Sequence, residues 1–208
     1  MPLIRANAVA APAWQHEARD LLLAQLAGSD AGLRRHAARA LSQDSEAAPA
    51  LAAQLEMETD RSVRDALFGS LVWIGGTPAA RLLARLLRSA NAGVRSGAVE
   101  ALKRLGDEAI PVLDALLDDP DPDKRLLSIE VTRAWPSRLA VPRLQRVLET
   151  DPHVNVCVAA LDVATEVGNC DLTAAISALP ARFPDEPFIV FAADVARARI
   201  QTSAGRAS

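Results

Sequence analysis

A five-residue motif returns along this chain at an almost constant interval. It reads Asp30-x-x-Leu33-Arg34, Asp60-x-x-Val63-Arg64, Asn91-x-x-Val94-Arg95 and Asp121-x-x-Lys124-Arg125, with degenerate copies at Asp151-x-x-Val154-Asn155 and Asp185-x-x-Phe188-Ile189. The copies end at positions 34, 64, 95, 125, 155 and 189, so the intervals are 30, 31, 30, 30 and 34. A period near 30 residues holds two short helices and their turns, and self-similarity at such a period marks a stacked array. Each unit of an array buries its apolar face only against its neighbours.

Composition agrees. Of 208 residues, 50% are hydrophobic and only 3% aromatic, with no tyrosine. Leucine and alanine carry the apolar content and favour helix, whereas the residues that strands need are scarce. An all-β or α/β fold is excluded. Disorder is excluded too, because the apolar share is high and the net charge is only -3.

Within each unit the first helix is apolar and arginine-rich, as in Arg81–Leu87 or Pro111–Leu117. The Asp or Asn then caps the second helix, its side-chain oxygen accepting from first-turn amides that lack partners. Pro122 and Pro152 suit the first helical position, where no amide donor is needed. Gly75-Gly76, Gly106, Pro136 and Gly168 stop the second helices, and Thr77-Pro78 and Ser137 cap the next first helices. The expected organisation is one domain of six helix pairs over residues 14–200, with pattern-free tails at 1–13 and 201–208.

These residues resemble the HEAT-repeat family, in particular the short bacterial repeats of phycobilin lyases, over nearly the whole chain. The resemblance implies an all-α solenoid. It further implies that the recurring Asp60, Asp121, Arg34, Arg64, Arg95 and Arg125 form a structural ladder between repeats. The ladder lapses at Asn155 and Ile189, so the last two repeats are expected to stack less regularly.

Helical phase separates the faces of the second helices. Counting from the arginine position at about 100° per residue, −1, +3, +6 and +7 share one face and +1, +4, +5 and +8 the opposite one. The first set (Leu33, Ala37, Ala40, Leu41; Val94, Ala98, Ala101, Leu102) reads as core. The second set should be polar if it meets only water, yet it holds Phe68 and Val72 in repeat two, Val99 in repeat three, Leu126 and Ile129 in repeat four, and Val156 and Val163 in repeat five. In HEAT-like proteins this side is concave. The expectation is therefore an apolar, partner-binding groove flanked by Glu100, Glu130, Lys103 and Arg133. The competing reading is that superhelical curvature folds the same side chains against adjacent repeats.

No catalytic constellation is legible. GxGxxG, P-loop, nucleophile-elbow and paired-carboxylate patterns are absent. His153 and Cys157, four apart, with Cys170 beyond, offer fewer ligands than a structural zinc requires, and the two cysteines are too far apart to pair. The single pair His16-Glu17 falls short of the several that the di-iron HEAT hydroxylases need. His36 beside Arg34, Arg35 and Arg39 reads as solvated surface. Trp73 and Trp135 read as packing at repeat junctions, and Phe183, Phe188 and Phe191 with Arg182 as a cap on the last repeat.

No metal or other cofactor is expected. Lys+Arg total 23 against Asp+Glu 26, with a pI of about 5.6, which points away from nucleic acid. No apolar run reaches a membrane span, and the start of the chain lacks the pattern of a signal peptide. Arginine and alanine in place of lysine suggest a bacterial source. Together these give a non-catalytic scaffold or adaptor that holds a protein partner, in a cytoplasm. The alternative is a phycobilin-lyase-like maturation factor, and a DNA-binding HEAT protein is less favoured. The partner's identity and the oligomeric state stay open.

Overall fold

The computed structural model describes residues 13–206, with side chains from 18 to 202. Trp14 and the His16-Glu17 pair lie outside the described side chains. Among the described residues there are twelve α-helices and no strand.

The first layer consists of α1 (Ala13–Leu26), α3 (Ala48–Met57), α5 (Gly76–Leu86), α7 (Ile110–Leu116), α9 (Ser137–Thr150) and α11 (Thr173–Arg182). The second consists of α2 (Ala31–Ala40), α4 (Arg61–Ile74), α6 (Ala92–Leu105), α8 (Pro122–Thr132), α10 (Val154–Val167) and α12 (Pro187–Arg206). Each second-layer helix packs on the next along the whole array, more extensively than first-layer helices pack on each other. That is the arrangement of an arc with the second layer inside. The fold is thus the all-α solenoid of six pairs that the spacing predicts. Helix α12 continues through 201–206, where the sequence suggested a tail, and residues 1–12 fall outside the description.

The motif acids act as caps. Asp30 accepts from the Leu33 amide at 2.8 Å, Asp60 from those of Ser62 and Val63, Asn91 from that of Gly93 and Asp121 from that of Asp123. Gly75 and Gly106 end α4 and α6 at φ of +68° and +55°, a conformation that side chains with a Cβ rarely take. Two first-layer starts differ from expectation. The Glu108 carboxylate, from the next repeat, accepts from the Gly76 amide at 2.6 Å at the start of α5. Ser137 donates its hydroxyl to the Val167 carbonyl rather than capping α9.

The arginines perform one task four times. Arg34 Nη1 donates to the carbonyls of Gly28 and Ser29, Arg64 to Glu58 and Thr59, Arg95 to Ser89 and Ala90, and Arg125 to Asp119 and Pro120. In every case the targets lie six and five residues back, where the first helix has ended and its carbonyls lack helical partners. The guanidinium thereby fastens the turn to the second helix. Two of these arginines also reach forward. Arg34 Nε and Nη2 donate to Glu58 at 2.8 and 2.9 Å, and Arg125 does the same to Asp151 at 2.7 and 3.0 Å. The inter-repeat partners are therefore Glu58 and Asp151, whereas Asp60 and Asp121, expected to pair, cap their own helices.

The last two repeats stack as firmly as the others, because their register is shifted. Asp151 is taken by Arg125, and α10 begins at Val154 rather than at Pro152, with His153 at its N-cap. Cys157, not Asn155, then stands at the arginine position. Its Sγ faces the Asp151 carbonyl, six residues back, at 3.5 Å, and burial pushes the thiol up to about 11. Arg182 supplies the missing guanidinium from α11, donating to the carbonyls of Leu148 and Asp151. Counting from Cys157, the core positions become Val156, Ala160, Val163 and Ala164, and all four are buried. The same count puts Val190 at the arginine position of α12, with Ile189, Ala193 and Ala196 buried. At the other end Leu33 and Ala40, expected in the core, are exposed, since no earlier repeat covers α2.

Truncating Arg125 to alanine leaves the buried Asp151 carboxylate unpaired, which should cost about 3–5 kcal/mol in urea denaturation. Arg95→Ala releases only turn carbonyls and should cost about 1–2 kcal/mol. Glu58, with its side chain 1% exposed, is held down to about 2 from its usual 4.5, chiefly by the hydrogen bond from Arg34. A carboxylate whose folded value is depressed stabilises the fold above its unfolded value and loses that contribution as pH falls. The stabilisation should be whole above pH ~4.5 and disappear towards pH ~2. In Glu58→Gln, the urea midpoint should lose that part of its fall between those limits.

Candidate functional site

The +4 row of the second helices is closed. Ala38, Phe68, Val99 and Ile129 are all buried, as is Leu161, which takes the place in the shifted fifth repeat. On an isolated helix +4 would face water. A parallel neighbour 8–10 Å away covers it. The fit is close at Gly97 on α6, where an added Cβ would lie 2.2 Å from the Phe68 ring. Between α2 and α4, the Ser70 hydroxyl donates to the Ala38 carbonyl at 2.8 Å.

Phe68, Val99, Ile129, Val156 and Val163, half of the expected groove residues, are thus corrected to buried packing residues. Phe68, Val99 and Ile129 are covered by the curvature that brings second helices together. Val156 and Val163 are core because the fifth helix is rotated by its two-residue slip. Val72 and Leu126 are half-buried.

The rows +1, +5 and +8 remain open, and their chemistry changes along the array. Repeat one presents Arg35 and Arg39, with His36 beside them, all exposed. Repeat two presents Asp65 and Gly69, beside a shallow cleft walled by Arg39, Ser42 and Trp73. Trp73 is 70% exposed, contrary to the packing role expected of it. Trp135 does pack at a repeat junction, donating Nε1–H to the Lys103 carbonyl at 3.2 Å under the Arg143 guanidinium.

Repeats three to five carry a ladder of charges. Lys103 meets Glu100 at 2.9 Å and Glu130 of the next repeat at 3.5 Å. Arg133 meets Glu130 and, one repeat on, Asp162, both at 2.7 Å, and also Glu166. The pattern is regular: a cation at +8 answers an acid at +5 of the following helix. Arg133 and Lys103 hold the Glu130 carboxyl below its ordinary range, and its carboxylates push Arg133 up. Glu100, Glu130, Lys103 and Arg133 therefore lie on the open face as expected, though they bind one another across repeats rather than rimming an apolar groove.

Repeat six is apolar. Phe191 and Val195 occupy +1 and +5 of α12, and Phe188 stands one turn before Phe191, at 64%, 44% and 60% exposure. The two rings lie 6.2 Å apart, centroid to centroid. Neither caps the core as expected; Phe183 alone of the three packs inward, under Arg182. The end of the array is closed instead by Asp194, Arg197 and Gln201 on the remaining side of α12, polar as a terminal repeat requires.

Sequence reasoning missed Trp73, Val158, Asp162, Glu166, Phe188, Phe191 and Val195 as surface residues. One signal was present: a fifth helix apolar throughout its supposed outer face is a helix read in the wrong phase.

A wide cleft between repeats four and five is lined by Arg125, Asp151, Arg146, Asp118 and His153; Arg125 donates from every guanidinium nitrogen to its own partners, Arg146 pairs with Asp118, and the buried His153 Nδ1 meets no hydrogen-bond partner among the described residues. Cys157 is buried and Cys170 exposed, both free. Among the described residues no three His, Cys, Asp or Glu side chains are arranged to hold a metal ion.

Two glycines test this division of the surface. Gly97→Ala must displace the Phe68 ring and should cost about 1–3 kcal/mol by urea denaturation. Gly69→Ala, whose added Cβ meets nothing within 4 Å, should gain up to about 1 kcal/mol of helix propensity.

Comparison with known proteins agrees with this geometry. A family model described as HEAT repeats matches residues 19–103 and 48–133, together more than half of the chain. Among curated proteins, none matches the sequence significantly. Solved structures to which the chain is similar include an archaeal HEAT-like repeats protein from Thermococcus onnurineus (16% identity, 90% of this chain and 88% of that one, TM-score 0.45). Another is the complex of CpcE and CpcF of phycocyanin lyase from Nostoc sp. (22%, 85% and 86%, 0.37). A third is a designed armadillo repeat protein in complex with a (KR)4 peptide (16%, 86% and 98%, 0.41). With its repeating helix pairs and this match, the chain belongs to the HEAT-repeat family.

Proposed function

We propose that this chain is a non-catalytic protein-binding scaffold or adaptor that takes a helix or segment of its partner on the open face of the second helices. The observation that carries the reading is where the exposed aromatic residues sit. Trp73, Phe188 and Phe191 are each at least 60% exposed and all project from second-layer helices. Exposed aromatic anchors on an otherwise charged face are what a binding surface keeps and a solvated one sheds. HEAT repeats also bind proteins as a rule. Arg125 and Arg146 of the wide cleft, by contrast, are already paired with Asp151 and Asp118.

The finer placement, among the short bacterial repeats of phycobilin-lyase type and in a bacterial cytoplasm, rests on the Asp-x-x-apolar-Arg motif and the arginine-rich composition. A maturation factor of that type would bind a tetrapyrrole, and a pigment titration separates it from the adaptor. Among the described residues no helix is long and apolar enough to cross a membrane.

Affinity purification of the full chain, with cross-linking and mass spectrometry, tests the reading. The wild type should capture a defined protein that the folded variant Trp73→Ala/Phe191→Ser fails to hold. Equal capture by both would put the interaction elsewhere. No captured protein would count against the scaffold.

A further inference from the structure

The three repeats at the C-terminal end of the open face combine two patterns. At +1, successive second helices carry Leu126, Val158 and Phe191, a row of apolar side chains that becomes more exposed towards α12. One turn on, at +5, they carry Glu130, Asp162 and Val195. The acids of this second row are incompletely neutralised. Three carboxylates, Glu130, Asp162 and Glu166, converge on the single guanidinium of Arg133, and Lys103 is divided between Glu100 and Glu130. Within the ladder, among the described residues, four carboxylates answer Lys103 and Arg133. Asp185 and Glu186 are exposed immediately before Phe188 and add to the negative charge around the aromatic pair.

Resting on the scaffold reading, we propose that this end of the open face docks a basic amphipathic helix, with apolar side chains on the Leu126–Val158–Phe191 row and Lys or Arg side chains on Asp162, Glu166 and Glu130. Dimensions favour a helix. Packed neighbours stand 8–10 Å apart, and one heptad rises about 10.5 Å. A helix laid across α8, α10 and α12 therefore sets one apolar residue per heptad on each member of the row. Along α12, Phe188 and Val195 are seven positions apart, a rise of about 10 Å, which is the width of a helix with its side chains. An extended chain, with strands under 5 Å apart, would cover half of that patch. Charge gives the sign: an acidic helix would bring like charges onto carboxylates that are already in excess.

The test uses three fluorescein-labelled synthetic peptides of three heptads each. One carries leucine on one face flanked by lysine, the second replaces lysine with glutamate, and the third scrambles the first so that its leucines share no face. Fluorescence anisotropy is followed on the full chain at low salt. The lysine helix should bind at least ~10-fold more tightly than either control, and added salt should weaken it. Phe191→Ser should reduce its affinity ~10-fold or more, and Asp162→Asn by a smaller factor. Met57→Ala, exposed on the first layer, should leave it unchanged, and circular dichroism checks that every variant is folded.

Equal binding of lysine and glutamate helices, indifference to Phe191→Ser, or no saturable binding of the lysine helix by ~100 μM would overturn the proposal. So would a wild-type dimer in sedimentation velocity that Phe191→Ser converts to monomer, because the patch would then belong to a second copy of the chain. The scaffold reading is tested separately: a captured cellular protein that is lost with Trp73→Ala but kept with Phe191→Ser would preserve the scaffold and remove this site, whereas no captured protein would count against the scaffold itself.

Discussion

The turn between the two helices of a unit leaves carbonyl oxygens that no backbone amide can reach, and in the first five units a guanidinium answers them. Arg34, Arg64, Arg95 and Arg125 each donate to the carbonyls six and five residues back, so the angle between first and second helix is set by the same bonds in each of the first four units. Stacking depends on that angle. With each pair held alike, the +4 side chain of one second helix meets the next helix at the same place, and the core runs through the array without interruption. Arginine suits the task because its planar fork reaches two carbonyls with one nitrogen and still offers Nε and Nη2 to an acid of the next repeat.

The fifth unit shows what the constraint demands when the arginine is lost. Cys157 fills the space, and Arg182 enters from the following first helix to donate to the carbonyls of Leu148 and Asp151. The donor changes while the bonds to the turn persist. The cost of the arrangement is a two-residue rotation of α10, which moves Val156 and Val163 into the core and turns Val158 and Asp162 outward. The longer interval before the last unit belongs to the same adjustment, since α11 must carry Arg182 to the turn before α12 can begin.

The open face inherits these decisions. Because +4 is consumed by stacking, only +1, +5 and +8 reach solvent, and the chain uses them differently from end to end: arginines in repeat one, an ion-pair ladder in repeats three to five, and phenylalanines in repeat six. The ladder also adds cross-links on the inner side of the array. Its acids Glu100, Asp162 and Glu166 are exposed, where an ion pair contributes ~0–1 kcal/mol, so those positions are free to vary for recognition with little penalty to the fold. The buried Arg125–Asp151 pair has no such freedom.

The sequence by itself determined the helix pairs, their number and the caps at Asp30, Asp60, Asn91 and Asp121, because those features depend on local spacing and on backbone groups a few residues away; the structural role of the arginines came from the family resemblance. The sequence also placed Glu100, Glu130, Lys103 and Arg133 on the open face, since helical phase within one repeat is a local property. It could not decide that Phe68, Val99 and Ile129 are buried. Their phase was read correctly, but burial of a +4 side chain depends on how closely the next helix approaches, 30 residues further along the chain. Nor could it assign Arg182 to Asp151 and Leu148, because that bond bridges elements from different repeats and nothing in either segment announces the other. Tertiary structure decided both, since curvature and replacement of a lost ligand arise only when units are stacked.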